Sequence, residues 1–220
     1  MRQTFEQISA TRDWLLADGA TGTNLFHAGL ETGYPPELWN VEYPDHVTTL
    51  HASFIAAGAD IILTNSFGGT SFRLKLHQAD NSVIALNLAA AGLARQAADA
   101  ADKQVLVAGS MGPTGELFQP LGALTSDAAE QAFAEQAFAL AEGGADLLWI
   151  ETMSSLEEVE AAVKGARRTN LPVVATMTFD TAGRTMMGIT PAAYTQFATS
   201  LGLDAFGANC GIGPAELLDS

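Results

Sequence analysis

Two carboxylates and one thiol stand out because of where they fall in the chain. Asp18 follows the apolar run WLLA and opens DGATGTN, Glu151 closes the run ADLLWIE, and Cys210, the only cysteine, sits in FGANCGIGP. A charge that emerges from a buried strand is costly to desolvate unless it meets a partner. Asp18 and Glu151 are therefore expected at a rim where a ligand supplies that partner. Such a pair can hold a substrate ammonium group between them. The other chemistry open to it is paired acid–base work on a sugar, although nothing in the chain resembles the aromatic platform on which a sugar would stack.

A lone cysteine is commonly a small buried hydrophobe, whereas a thiolate is a nucleophile or a metal ligand; both readings stay open for Cys210. The glycines at 19 and 22 do not form GxGxxG, so a dinucleotide fingerprint is absent. They instead let backbone N–H groups approach a small anion, such as a substrate carboxylate. His27, His46, His51 and His77 show no metal spacing such as HExxH, and each reads as a surface or capping histidine.

These residues need elements to hold them. Short apolar runs recur at Trp14 to Gly22, Ala59 to Gly69, Gln104 to Pro113, Ala145 to Thr152, Leu171 to Asp180 and Asp204 to Gly213. They are continuous rather than alternating, as in parallel strands buried on both faces. Helix-like stretches lie between them: Asp45 to Ala57, Ser82 to Ala98, Ser126 to Glu142, Ser154 to Arg167 and Pro191 to Leu201. Val47, Leu50, Phe54 and Ile55 share a face of the first of these. Ser126 is a plausible cap of a helix carrying Phe133, Phe138 and Leu140. Acidic residues fill the first turn after Ser154, where the helix dipole favours them. "GAD" at 58–60 and 144–146 and "GLD" at 202–204 each pass from helix to strand, with glycine at the C-cap.

Strict βα alternation without a composition break argues for one α/β domain. The polar residues DG, TNSF, GSMGP, ET, TFD and NC all follow strand ends. That favours a TIM-type (β/α)8 barrel with its site on the C-terminal face, a doubly wound sheet being the alternative. Six βα-type strands are legible where a closed barrel has eight.

With 25 acidic and 10 basic residues the formal net charge is −15. A surface so acidic repels phosphate backbones and anionic lipid, which disfavours nucleic-acid and membrane-surface roles. No apolar run approaches the roughly 18 residues of a transmembrane helix. The polar N-terminus MRQTFEQISATRDW is neither signal nor transit peptide. One cysteine makes no internal disulfide, so the expected compartment is the cytoplasm.

Six stretches, in order and each at a strand end, carry a family resemblance: DGATGTNL (18–25), GADIILTNSFGGT (58–70), VAGSMGPTGE (107–116), WIETM (149–153), GRTMMG (183–188) and GANCGIGP (207–214). Together they resemble the homocysteine S-methyltransferase family, which includes betaine–homocysteine methyltransferase and the homocysteine-binding module of cobalamin-dependent methionine synthase. The resemblance implies an eight-stranded barrel that moves a methyl group from a donor to homocysteine sulfur, giving methionine, with Zn2+ binding that sulfur as thiolate. The donor is a small molecule, such as betaine or another methyl-onium compound, or methylcobalamin on a corrinoid protein.

By the same resemblance Asp18 and Glu151 match the residues that hold the homocysteine amino group. Gly19, Ala20 and Thr21 match the loop whose backbone faces its carboxylate, and Asn65, Ser66 and Phe67 match a rim that lines the pocket. Cys210 matches the first of three zinc cysteines, and the adjacent pair that supplies the other two has no counterpart here. The resemblance thus implies that residues 1–220 form a single homocysteine-binding barrel domain lacking its C-terminal part. Such a chain is expected to dimerise or to belong to a longer protein. Two other readings compete: a non-catalytic amino-acid- or partner-binding barrel fragment without its metal site, and an unrelated barrel enzyme using Asp18 and Glu151 as acid and base.

Overall fold

The apolar runs become parallel strands in the order in which they occur. In the computed structural model, which describes residues 3–219, β1 (Ile61–Leu63), β2 (Leu106–Met111), β3 (Leu147–Met153), β4 (Val173–Met177) and β5 (Ala205–Ala208) lie side by side in that sequence. Every neighbouring pair is parallel. A doubly wound sheet reverses its strand order at a switch point; this one never reverses, so it is an arc of a (β/α) barrel. Met1 and Arg2 of the polar N-terminal stretch, and Ser220, lie outside the described residues.

Among the described residues the α-helices are α1 (Phe5–Ser9), α2 (Thr21–His27), α3 (Trp39–Glu42), α4 (Pro44–Ala56), α5 (Ser71–Lys75), α6 (Val83–Asp99), α7 (Ser126–Glu142), α8 (Leu156–Ala166), α9 (Pro191–Leu201) and α10 (Pro214–Leu218). Helices α6 to α9 each carry the chain from one strand to the next. The first apolar run departs from expectation. It makes one parallel bridge, Ala17 to Ile61, rather than a strand, because the chain turns into α2 only four residues later. The bridge is reinforced where Asp18 N–H donates to the Ile61 carbonyl at 2.9 Å and Asp60 N–H donates to the Leu16 carbonyl at 2.7 Å.

Side chains alternate across the sheet and build two apolar layers. Ile62, Val107, Leu148, Ile150, Val173, Ala175 and Met177 face the helices and meet Ala91, Ala94, Phe133, Leu140, Val159 and Ala162. Ile61, Leu106, Ala108, Leu147 and Val174 face the inside of the arc, joined by Leu15, Ala17, Trp149 and Ala205. Ile8 and Phe5 of α1 join this inner layer. A capping box between Thr4 and Gln7 starts that short helix. Each large side chain so buried contributes about 1.5–3 kcal/mol, which is why β2, buried at all six positions, anchors the sheet.

The glycine–acid motifs have a shared geometry. Gly58, Gly144 and Gly202 take φ of +113°, +103° and +63°, a region where a side chain would be strained. The aspartate two residues on then clasps the previous strand at its first residues. Asp60, Asp146 and Asp204 accept from the N–H of Leu16, Val107 and Val173 at 3.1, 2.8 and 2.8 Å. The backbone N–H of Asp146 and Asp204 returns a bond to the Val107 and Val173 carbonyls.

Three local readings change. Thr125, not Ser126, caps α7, its hydroxyl accepting from Ala128 N–H. Phe138 points to solvent from that helix. His51 is neither a surface nor a capping histidine: it is buried on α4, which packs on α6, and neither ring nitrogen has a hydrogen-bond partner among the described residues. Strand β5 pairs only with β4 among the described residues and is partly exposed along its length.

Candidate functional site

The inner face of the arc stays apolar until the last residue or two of each strand, where it turns polar. Counting in steps of two from Leu106, Leu147, Val174 and Ala205 leads to Ser110, Glu151, Thr176 and Asn209. Asp18 stands at the corresponding end of the first segment, where its Oδ2 accepts from Leu63 N–H at 2.9 Å. Glu151 Oε1 accepts from the Ser110 hydroxyl at 2.5 Å, and its Oε2 receives Asn209 Nδ2 at 3.4 Å.

Neither carboxylate is in an ion pair among the described residues. Burial pushes the Asp18 carboxyl up to about 7, and the neighbouring Glu151 charge adds to the rise despite the Leu63 N–H bond. Burial also raises Glu151, against the lowering effect of its hydroxyl donors. Both acids are thus raised by burial, the Glu151 charge bears on Asp18, and neither has a cation partner among the described residues. That arrangement suits an incoming ammonium group, which would relieve both the desolvation and the mutual repulsion.

Just past Glu151 the backbone is irregular. Ile150 pairs with Ala175 and Met153 with Met177, so three steps on β3 oppose two on β4. This bulge re-aims side chains at the end of the strand. Thr152 within it takes φ +61°, an uncommon and costly conformation for a β-branched residue, of the order of 1–3 kcal/mol. Asn209 holds it there. Its Oδ1 accepts from Thr152 N–H at 3.0 Å and from the Thr176 hydroxyl at 2.8 Å, and its Nδ2 donates to Thr152 Oγ1 at 2.8 Å. The same Nδ2 lies 3.3 Å from Cys210 Sγ, which is also 3.8 Å from Thr152 Oγ1. Cys210 is exposed rather than a core hydrophobe, and its backbone φ is +58°.

The loop after β1 is positioned by a buried polar lattice. Asn65 donates to the Pro36 carbonyl and to Asn40 Oδ1, and Ser66 Oγ donates to the Ser110 carbonyl. Gln136 donates to the Ser66 carbonyl, Asn87 to the Gly69 carbonyl, and Gly68 N–H donates to Glu37 Oε1 at 2.6 Å. A Cβ at Gly69 would sit 2.4 Å from Asn87 Oδ1 and 2.7 Å from Gln136 Nε2, so only glycine fits. Asn65 and Ser66 thus hold the loop with their side chains, while Phe67 is presented at the surface. Gly19 and Ala20 are exposed and Thr21 half-buried at the start of α2, whose N-terminus no side chain caps. The loop after β2 is pinned by buried Glu158, which accepts from Thr114 N–H and hydroxyl at 2.8 and 2.6 Å.

A family model described as homocysteine S-methyltransferase matches residues 15–220. The chain belongs to the homocysteine S-methyltransferase family. It is 34% identical to the methionine synthase of Mycobacterium tuberculosis and 33% identical to that of Mycobacterium leprae, in each case over 92% of this chain and 18% of the relative. The chain therefore spans less than a fifth of the length of these curated relatives. The homocysteine methyltransferase MmuM from Escherichia coli superposes with a TM-score of 0.80 in its oxidised form, at 24% identity, covering 95% of this chain and 77% of that one. Its metallated form gives 0.78 at 25% identity, over 92% and 76% of the two chains. The overlay supports the barrel-arc reading.

Zinc takes about four ligands, sulfur prominent among them. Among the described residues no three of His, Cys, Asp and Glu gather in a metal-binding group. Around Cys210 the close side-chain neighbours are an amide nitrogen and a hydroxyl, the former a donor and not a ligand. The described residues do not by themselves fit a zinc ion.

Proposed function

We propose that this chain is the homocysteine-binding part of a methyltransferase that forms methionine. The observation that carries this reading is that Asp18 and Glu151, both at the polar ends of the sheet segments, are raised by burial and have no cation partner among the described residues, in a chain that belongs to this family. In this reading the two carboxylates take the substrate ammonium group. Ser110 and Asn209 keep Glu151 aimed, backbone N–H groups of Gly19, Ala20 and Thr21 face the substrate carboxylate, and Phe67 borders the side chain. The substrate sulfur points towards Thr152, Asn209 and Cys210.

A Zn2+ site at this rim would take Cys210 as one ligand and needs its others from outside the described residues. The methyl donor is a small methyl-onium compound or methylcobalamin carried on a corrinoid protein. A second reading, an amino-acid-binding arc without metal chemistry, is favoured by the solitary cysteine, which no second metal ligand joins among the described residues.

Calorimetric titration with L-homocysteine, run beside zinc analysis of wild type and Cys210→Ala, tests both. Homocysteine binding lost in Asp18→Asn and Glu151→Gln, with zinc near one per chain that Cys210→Ala abolishes, supports the methyltransferase reading. Binding without zinc supports the second. No binding of any α-amino acid overturns both.

A further inference from the structure

We infer that Asn209 is a positioning residue that sets the span between the ammonium end and the sulfur end of the amino-acid site, and so selects the length of the bound side chain. The inference rests on the amino-acid reading above. One amide nitrogen, Asn209 Nδ2, reaches both ends: Glu151 Oε2 at 3.4 Å and Cys210 Sγ at 3.3 Å. The two end groups therefore lie no farther apart than the sum of those two distances, and the amide between them fixes their separation.

The amide is itself immobilised. Its oxygen is held by the Thr176 hydroxyl on β4 and by Thr152 N–H on β3, while its backbone N–H donates to the Met177 carbonyl at 3.1 Å. Its nitrogen also donates to Thr152 Oγ1 at 2.8 Å, so Thr152 is gripped at two points. This grip holds a left-handed, β-branched residue inside a bulge. A strained residue persists only where its surroundings over-determine it, and such sites cluster where geometry matters to function. Releasing the grip would let the bulge relax, and Glu151, the residue before it, would move relative to Cys210. A fixed span discriminates between amino acids that differ by one methylene, a difference worth roughly tenfold or more in a shaped site.

The test is calorimetric titration of the 220-residue chain with L-homocysteine and L-cysteine, for wild type, Asn209→Ala, Thr152→Gly and Thr176→Val, with thermal unfolding of each. The wild type is expected to prefer homocysteine. Asn209→Ala should reduce the homocysteine-to-cysteine affinity ratio by about tenfold. Thr152→Gly removes the left-handed strain and the hydroxyl while keeping the backbone N–H. It should lower the same ratio without lowering the unfolding midpoint, a combination that a purely structural role would not produce. Thr176→Val, which deletes one donor to the amide, keeps the test open if Asn209→Ala does not fold. Equal weakening of both ligands, or an unchanged ratio, overturns the inference while leaving the amino-acid reading intact. A wild type that binds neither ligand overturns the amino-acid reading and this inference with it.

Discussion

The two ends of the strands use carboxylates in opposite ways. At the N-terminal ends Asp60, Asp146 and Asp204 each accept a backbone N–H from the preceding strand, and two of them also meet cations. Arg12 and Lys103 lie 2.9 and 3.1 Å from Asp60, and Arg95 lies 2.8 Å from Asp146. Burial pushes Asp60 up, but the Leu16 N–H, Lys103 and Arg12 outweigh it and hold its carboxyl below the ordinary value. At the C-terminal ends Asp18 and Glu151 are raised and have no cation partner among the described residues, and Glu151 lies within a strained bulge. Acids clasped to backbone and cations serve stability; acids without a cation are, under the proposed function, the ones that take the ligand. This division is what a barrel's stable face and reactive face lead one to expect.

The largest expected effect tests the upper end. Glu151→Gln should weaken amino-acid binding by about 10- to 100-fold, the value of roughly 1.5–3 kcal/mol for a charge-assisted hydrogen bond, with the unfolding midpoint unchanged or raised. Titration calorimetry and thermal unfolding on the same samples read both. Asp146→Ala tests the lower end and should do the reverse. It should cost about 1–3 kcal/mol in urea unfolding through the orphaned Val107 N–H and the lost Arg95 ion pair, and leave ligand affinity alone. If Asp146→Ala weakened binding as much as Glu151→Gln does, the division between the two ends would fail.

Next in size is a pH effect at the upper end. Asp18 titrates near 7 in the fold against 3.8 ordinarily, so the folded state binds its proton more tightly than the unfolded chain. Its contribution to stability is therefore greatest at low pH and declines as pH rises from about 4 to about 7. Ammonium binding needs the ionised acid, so amino-acid affinity should climb as pH rises through about 7, and the climb should vanish in Asp18→Asn. A flat wild-type profile across that range would count against Asp18 as an ammonium partner.

The smallest effect at neutral pH concerns neither end. His51 is buried on α4, and burial lowers it to about 4 from 6.5. Below pH 6.5 the unfolded chain takes up this proton first, so stability should fall as pH drops from about 6.5 towards 4. Among the described residues neither ring nitrogen has a hydrogen-bond partner. His51→Leu should remove that acid slope and change little at pH 7.5, as read by urea midpoints across the range.

The bounds of the helices at Ser126–Glu142 and Pro191–Leu201 were legible because Gly143, Pro191 and Gly202 mark ends locally, although the cap of the first is Thr125 and not Ser126. The first strand was not, since WLLADG has strand composition but enters a helix before it can pair for more than one residue. His51 was misread for a related reason: its burial depends on where α6 lies, which no local signal near position 51 reports. At the candidate site, Asp18, Glu151 and Cys210 were singled out by charge or thiol at the end of an apolar run. Ser110, Thr152, Thr176 and Asn209 were not. A hydroxyl or an amide is common in loops, and its weight here comes from partners 33 to 58 residues away, the adjacent Asn209 and Cys210 excepted.

By itself, then, the sequence determined the alternation of strands and helices, the glycine–acid turns, and the family motifs at the strand ends, because each rests on short-range periodicity or on residue type. Only the tertiary structure decided the singly wound strand order, the contrast between paired and unpaired carboxylates, and the clasp of Asn209 on the Thr152 bulge. Those depend on which backbone groups meet across strands, and a hydrogen bond between residues far apart in the chain leaves no periodic trace in either of them.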